Sequence, residues 1–205
     1  VFTVRTLADV DSMAEAFAKG GHVLIIGGGY IGLEAAAVAA MRGLKTTLIE
    51  AAARILARVA APETSDYFRA LHTEHGVDIR EGVRLERLTG EGQVSGAELS
   101  DGTALDIDFA IVGVGIDPCT ALASEAGIAC ENGIRTDEKG RTSAPHVWAA
   151  GDCASFPYRG TRIRLESVPN AMDQADIVAA NMLGAEDDYL AKPWFWSDQY
   201  DINLQ

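Results

Sequence analysis

The sequence predicts an α/β fold built on a parallel sheet, and three observations predict it. His22-Val23-Leu24-Ile25-Ile26 reads as a continuous apolar run, the pattern of a strand buried on both faces. A glycine turn and an alanine-rich helix follow at once, and then a second strand. Far downstream, Phe109-Ala110-Ile111-Val112-Gly113 returns to the buried-strand pattern.

The elements follow in order. Val4 to Lys19 is expected to be a lead-in helix, because Leu7, Val10, Met13, Ala14 and Phe17 repeat at helical spacing and Gly20-Gly21 stop it. The strand from His22 is followed by a helix from about Ile31 to Arg42, ended by Gly43. Lys45 to Glu50 is the next strand. Together they have the size of a strand–helix–strand unit, about 30 residues. Pro62 to Glu74 is another helix, with proline in its first turn where a missing N–H costs nothing. Gly76 to Arg80 is a third strand.

Short strands near Val83–Leu88, Val94–Leu99 and Ala104–Ile107 are separated by Glu91-Gly92 and Asp101-Gly102. They predict an antiparallel insertion. Beyond the strand at Phe109 the character changes. Thr136 to Cys153 holds a turn, a hydrophobic strand Val147-Trp148-Ala149-Ala150, and then Gly151-Asp152. Asn170 to Leu183 is expected to be helical, and Pro193-Trp194-Phe195-Trp196 opens something new. No tandem repeat or low-complexity linker is visible.

Bulk properties bound the function. The net charge of −13 argues against non-specific binding to nucleic acid or to an anionic membrane. No apolar run approaches the roughly 20 residues of a membrane span. Cys119, Cys130 and Cys153 form no close-spaced pair, which points to a reducing, cytoplasmic compartment without a dithiol centre in this stretch. Each is expected to be a small buried hydrophobe. The chain opens on Val1 with no signal-peptide pattern, and is expected to be processed or a piece of a longer chain.

Gly27-Gly28-Gly29-Tyr30-Ile31-Gly32 satisfies G-x-G-x-x-G directly after a buried strand and at the opening of a helix. That context makes the pattern informative. Gly27 permits the tight turn, Gly29 admits a pyrophosphate to the backbone, and Gly32 lets helix and strand pack closely. Free amides and the helix dipole then face the phosphates. Ala36 keeps the same helix face small. Glu50 ends the second strand, eighteen residues after Gly32. A carboxylate there accepts hydrogen bonds from a ribose and repels a 2′-phosphate, which favours NADH over NADPH. Arg54 and Arg58 lie just beyond and pull the other way, because an arginine can take that phosphate. Gly113-Val114-Gly115 follows a later strand and is expected over the same crevice. The expected fold is thus a Rossmann-like NAD(H)-binding domain, a parallel sheet with an antiparallel insertion.

Thr142-Ser143-Ala144-Pro145-His146-Val147-Trp148-Ala149-Ala150-Gly151-Asp152 resembles the second FAD fingerprint of flavoproteins with two dinucleotide domains. Arg164-Leu165-Glu166-Ser167-Val168-Pro169-Asn170-Ala171 with Gln174, Pro193 to Tyr200, and Gly29-Tyr30-Ile31-Gly32-Leu33-Glu34 narrow it. They are similar to the NADH-dependent ferredoxin reductases that serve oxygenases and P450 systems, and the resemblance spans essentially the whole chain. It implies NAD(H) and FAD as cofactors. It implies that Glu34 lies near the nicotinamide, Glu50 holds the adenosine ribose, Gly151 and Asp152 bind FAD with Asp152 hydrogen-bonding its ribityl chain, and Val168 backs the flavin. Trp196 would lie near the flavin and the docking surface.

The resemblance implies hydride transfer from NADH to FAD, then single electrons to a 2Fe-2S ferredoxin or a rubredoxin. An NADH oxidase or a pyridine nucleotide-disulfide reductase on the same scaffold is the alternative enzyme, and a non-catalytic NAD-binding sensor the alternative of another class. Pro169 departs from the polar residue usual in the family. A first G-x-G-x-x-G for FAD and a C-terminal domain are not in the sequence. The resemblance therefore divides the chain into 1-125, the NAD(H) domain; 126-190, the C-terminal half of an FAD domain; and 191-205, the start of an interface domain. Such a piece is expected to bind NADH more readily than FAD.

His72 and His75 have a spacing seen in metal pairs but no third ligand nearby, and no metal is assigned to them. Arg159, Arg162 and Arg164 form a basic cluster, either a docking patch for an acidic ferredoxin or a solvated loop.

Overall fold

The computed structural model describes residues 1–205. Its contacts divide the chain into two units, Val1–Gly115 with Ser197–Leu204, and Ile116–Trp196. These limits do not coincide with 1-125, 126-190 and 191-205. The helix Ala121–Glu125 lies in the second unit, and the chain returns to the first at Ser197.

The first unit is built on five parallel strands: β1 (Phe2–Thr3), β2 (His22–Ile26), β3 (Lys45–Glu50), β4 (Asp78–Glu81) and β8 (Phe109–Val112), in the order β1-β8-β2-β3-β4. The apolar runs have a simple cause. Val23, Ile25, Leu48 and Ile111 point to one face, where they join Met13 of α1 (Leu7–Lys19), Leu33 and Ala36 of α2 (Tyr30–Met41) and Phe68 of α3 (Pro62–Glu74). Leu24, Ile49 and Ala110 point to the other, against Ala97, Leu99 and Ile107. That second cover is the antiparallel sheet β5 (Leu85–Thr89), β6 (Gly96–Leu99) and β7 (Ala104–Asp106). Burial on both faces removes the period-2 alternation.

The N-terminus differs from the expected helix start. Phe2–Thr3 pair with β8 in parallel, and α1 begins at Leu7 under a capping box in which Thr6 and Asp9 satisfy each other's amides. The hairpin β12 (Ser197–Gln199) and β13 (Ile202–Leu204) adds Ile202 and Leu204 to the helix-side core. It was not expected from the sequence, because each strand has only three residues.

In the second unit, β9 (Ile134–Arg135), β10 (Ala154–Tyr158) and β11 (Thr161–Ile163) form a sheet in the order β11-β10-β9. α4 (Ala121–Glu125) precedes it, and α5 (Val168–Met182) packs against the 3-10 turn Gly151–Cys153. Phe156, Tyr189 and Ala191 make the small core. The expected strand at Val147–Ala150 is only an isolated bridge between Arg141 and Trp148; the strand begins after Gly-Asp, at Ala154. The cysteines also differ from expectation. Cys119 and Cys130 are exposed and Cys153 is half-buried, because all three lie outside the strands and helices that line the cores.

Candidate dinucleotide site

The parallel register puts Ile26 beside both Ile49 and Val112. The residues that follow, Gly27, Glu50 and Gly113, therefore share the carboxyl edge of the sheet. β2 is also where the connections part, to β3 on one side and β8 on the other. Open α/β sheets bind ligands at such a switch point.

The glycines are needed for different reasons. Gly27 has φ +108°, and a methyl group on it would lie 2.4 Å from the Gly113 carbonyl oxygen. A methyl on Gly32 would lie 1.9 Å from the Gly27 carbonyl oxygen. Gly28, a free position in the motif, is confined less tightly and by side chains, because its methyl would lie 2.7 Å from Ile55 Cγ2. Gly29 is the contrast: a methyl there would meet nothing within 4 Å. It is the N-cap of α2, and no side chain caps that end. An open space beside an uncapped helix N-terminus can hold a diphosphate.

Glu50 is held on both oxygens. Gly28 N–H donates to Oε2 at 2.7 Å, and Ala52 N–H donates to Oε1 at 2.6 Å. The carboxylate is thereby fixed beside the glycine turn, with lone pairs left to accept hydroxyl protons. Arg54 does not compete for a phosphate. Its guanidinium donates to Ser65 Oγ at 2.6 Å and to the Ala60 carbonyl at 2.9 Å. Arg58 is exposed, and Nη2 would lie 3.4 Å from a methyl on Gly115. Gly113, Val114 and Gly115 thus lie between the glycine turn and Arg58, with Val114 exposed.

Glu34 stands one turn after Tyr30 on α2 and accepts a hydrogen bond from Ser197 Oγ at 2.6 Å. Behind Ser197 lies a run of polar contacts that the sequence reading missed. Gln199 Nε2 donates to Ser197 Oγ at 3.0 Å, His72 Nε2 meets Gln199 Oε1 at 2.8 Å, and Tyr200 Oη meets His72 Nδ1 at 3.1 Å. Ser197 and Gln199 alternate along a strand and are buried, so a period-2 pattern of polar residues was the available signal. Burial lowers the His72 imidazole below its ordinary value and pushes the Tyr200 phenol up to about 12. His75 stacks on Tyr200 with ring centroids 3.8 Å apart. The two histidines are thus committed to the hairpin.

In the second unit, Gly151 has φ +78° and its N–H donates to buried Gln174 Oε1 at 2.8 Å. The Asp152 carboxylate is exposed, while the Asp152 carbonyl accepts from Arg164 Nη1 at 3.1 Å. α5 starts under Ser167, with exposed Val168 first and Pro169 in the first turn. That position has no helical partner for an N–H, which is why proline fits there. The basic cluster is not a simple solvated loop. Arg162 donates to the Thr136 and Ser155 carbonyls, Arg164 pairs with Glu166 at 2.7 Å, and Arg159 lies over the Tyr158 ring. Trp194 and Trp196 are both exposed, with ring centroids 5.6 Å apart.

Residues 1–175 match the family model described as pyridine nucleotide-disulphide oxidoreductase. The chain is 47% identical over its whole length to a 5,5'-dehydrodivanillate O-demethylase ferredoxin reductase subunit from Sphingobium sp., 51% of which it covers. It superposes with a TM-score of 0.96 and 43% identity on a ferredoxin reductase for the CYP199A2 system of Rhodopseudomonas palustris, over 99% of this chain and 51% of that one. The reductase in a covalent putidaredoxin reductase–putidaredoxin complex gives a TM-score of 0.93 at 41% identity, over 98% of this chain and 49% of that one. The chain spans about half the length of the relatives it matches.

Proposed function

Because the chain belongs to the pyridine nucleotide-disulphide oxidoreductase family, we propose that it is part of an NADH-dependent ferredoxin reductase. NADH, when bound, supplies a hydride that FAD takes up, and the electrons leave singly for a 2Fe-2S ferredoxin or a rubredoxin. The protein's part is to bind, orient and shield these groups.

In this reading the amides from Gly29 to Gly32 hold the NADH diphosphate while the Gly28 amide fixes Glu50, with Tyr30 and Ile31 opening the helix that faces the cofactor. Glu50 accepts from the adenosine ribose. Gly113, Val114, Gly115 and Arg58 close over the cofactor, and Glu34 faces the nicotinamide. Gly151, Asp152 and Val168 form the part of the FAD site that this chain contributes, and Trp196 lies on the side from which the electron acceptor docks. Three free cysteines suit a reducing compartment, and we place the protein in the cytoplasm. No helix is long and apolar enough to cross a membrane.

The observation that carries NADH rather than NADPH is the fixed Glu50 carboxylate beside an Arg54 whose guanidinium is already engaged. A negative charge held there repels a 2′-phosphate, and that arginine is not free to offset it. The likeness to ferredoxin reductases along the whole chain carries the acceptor class.

The test is the visible absorption spectrum of the purified protein, before and after anaerobic NADH. For the reductase of which this chain is proposed to be part, a yellow protein that bleaches with NADH but hardly with NADPH, and that then reduces a 2Fe-2S ferredoxin, is the expected result. The present chain alone is expected to be colourless. A flavin-loaded protein that NADH leaves yellow would overturn the proposal.

A further inference from the structure

We infer that Ser197, backed by Gln199 and His72, is a positioning residue that holds Glu34 toward the nicotinamide. The inference rests on the placement of Glu34 proposed above and extends the site to a hairpin remote from it in sequence.

The direction of each hydrogen bond follows from chemistry. Ser197 Oγ faces the Glu34 carboxylate at 2.6 Å, so the hydroxyl must donate. The same oxygen can then accept, and Gln199 Nε2 donates to it at 3.0 Å. That leaves Gln199 Oε1 as acceptor, so the His72 nitrogen 2.8 Å away, Nε2, carries the proton. His72 Nδ1 is then an acceptor, satisfied by the Tyr200 hydroxyl at 3.1 Å. Four hydrogen bonds point the same way and end on the carboxylate, and such aligned chains reinforce one another.

Burial makes the chain stiff. Ser197, Gln199 and His72 are 1%, 0% and 0% exposed. None has water to turn to, so a change of rotamer would leave a buried polar group unsatisfied. Glu34 is only half-buried and lies on a helix whose other functional groups are backbone amides. A long acidic side chain there would otherwise sample several rotamers. The bond from Ser197 selects the one that reaches β12, which lies against α2.

The probes are NAD+, which has no hydride to give, and ADP-ribose, which lacks only the nicotinamide. Binding of both is measured by calorimetry for the wild-type protein, Ser197→Ala, Ser197→Thr, Glu34→Ala and the double variant Ser197→Ala with Glu34→Ala. Ser197→Ala should weaken NAD+ about tenfold, the worth of one hydrogen bond to a charged acceptor, and leave ADP-ribose unchanged. Ser197→Thr keeps the donor and should restore NAD+ affinity. In the Glu34→Ala background the serine change should add nothing.

Equal weakening of both ligands by Ser197→Ala, or loss of ADP-ribose binding altogether, would mean a structural role only and would overturn the inference. Weakening by Glu34→Ala but not by Ser197→Ala would overturn it while leaving the placement of Glu34 standing. Unchanged NAD+ affinity in Glu34→Ala would overturn that placement, and this inference with it.

Discussion

Two neighbouring glycines of the turn should respond to the same substitution in opposite ways. In Gly32→Ala the new carbon would sit 1.9 Å from the Gly27 carbonyl oxygen, against about 3.3 Å for an ordinary carbon–oxygen contact. The obstacle is backbone, so α2 and β2 must part by more than an ångström. Overpacking of this kind costs about 1–3 kcal/mol or more, and each kcal/mol lowers Tm by roughly 2–4 °C in a chain of this size.

Gly29→Ala meets nothing within 4 Å, and its φ of −81° and ψ of −176° are open to alanine. Alanine is a poorer N-cap than glycine by up to about 1 kcal/mol. It also gives the unfolded chain less entropy, a gain of about 0.4–1 kcal/mol. The two offset, so Tm should stay within about 3 °C. The methyl would, however, occupy the open space where the diphosphate is proposed to lie. NAD+ affinity should fall at least tenfold, which is about 1.4 kcal/mol. Thermal unfolding and binding calorimetry on both variants measure this. A Gly29→Ala protein that binds NAD+ like the wild type would refute the diphosphate placement. A Gly32→Ala protein that melts like the wild type would refute the packing argument.

Two further outcomes are expected. Glu50→Gln turns an amide donor toward the Gly28 or Ala52 N–H, so two donors face each other. NADH affinity should fall about tenfold and the preference over NADPH should shrink; binding constants that keep the wild-type ratio would remove Glu50 from the ribose. The second concerns acid. Burial is the main cause that lowers both His22 and His72 below the ordinary 6.5. The unfolded chain therefore takes up protons on these rings at a higher pH than the folded one. Their contribution to stability is complete above about pH 6.5 and is lost progressively as pH falls below it. Urea unfolding at pH 7.5 and 5.5 should show the loss, and His72→Gln should flatten it. An undiminished slope in that variant would show that His72 is not its source.

Much of the first unit was legible because each of its features has a local cause. His22–Ile26 and Lys45–Glu50 begin and end where the apolar run and the glycines say. Pro62 marked the start of α3. Gly27, Gly29 and Gly32 announced the turn, and Glu50 its partner, since those roles depend on spacing along one strand–helix–strand unit. The rest depended on residues distant in sequence. Nothing around Arg54 says that Ser65 and Ala60 will engage it. Nothing around Ser197 says that a three-residue strand will reach α2 and bury a histidine. The hairpin β10–β11 was missed because Pro157 and Arg162 do not resemble a strand interior. Cys119, Cys130 and Cys153 were misjudged because residue type alone was used where position decides.

The return of Ser197–Leu204 has a consequence for biosynthesis. His72 meets Gln199 across 127 residues of chain, so a ribosome must finish the whole second unit before the first can close over that imidazole. Until then the His72 ring on α3 has neither Gln199 nor Tyr200 to bond, and stays open to water in the nascent protein. A nick anywhere between 116 and 196 leaves Ser197–Leu204 joined to the first unit by packing and hydrogen bonds alone. The first unit is in this sense a clasp whose two parts are translated with the whole second unit between them.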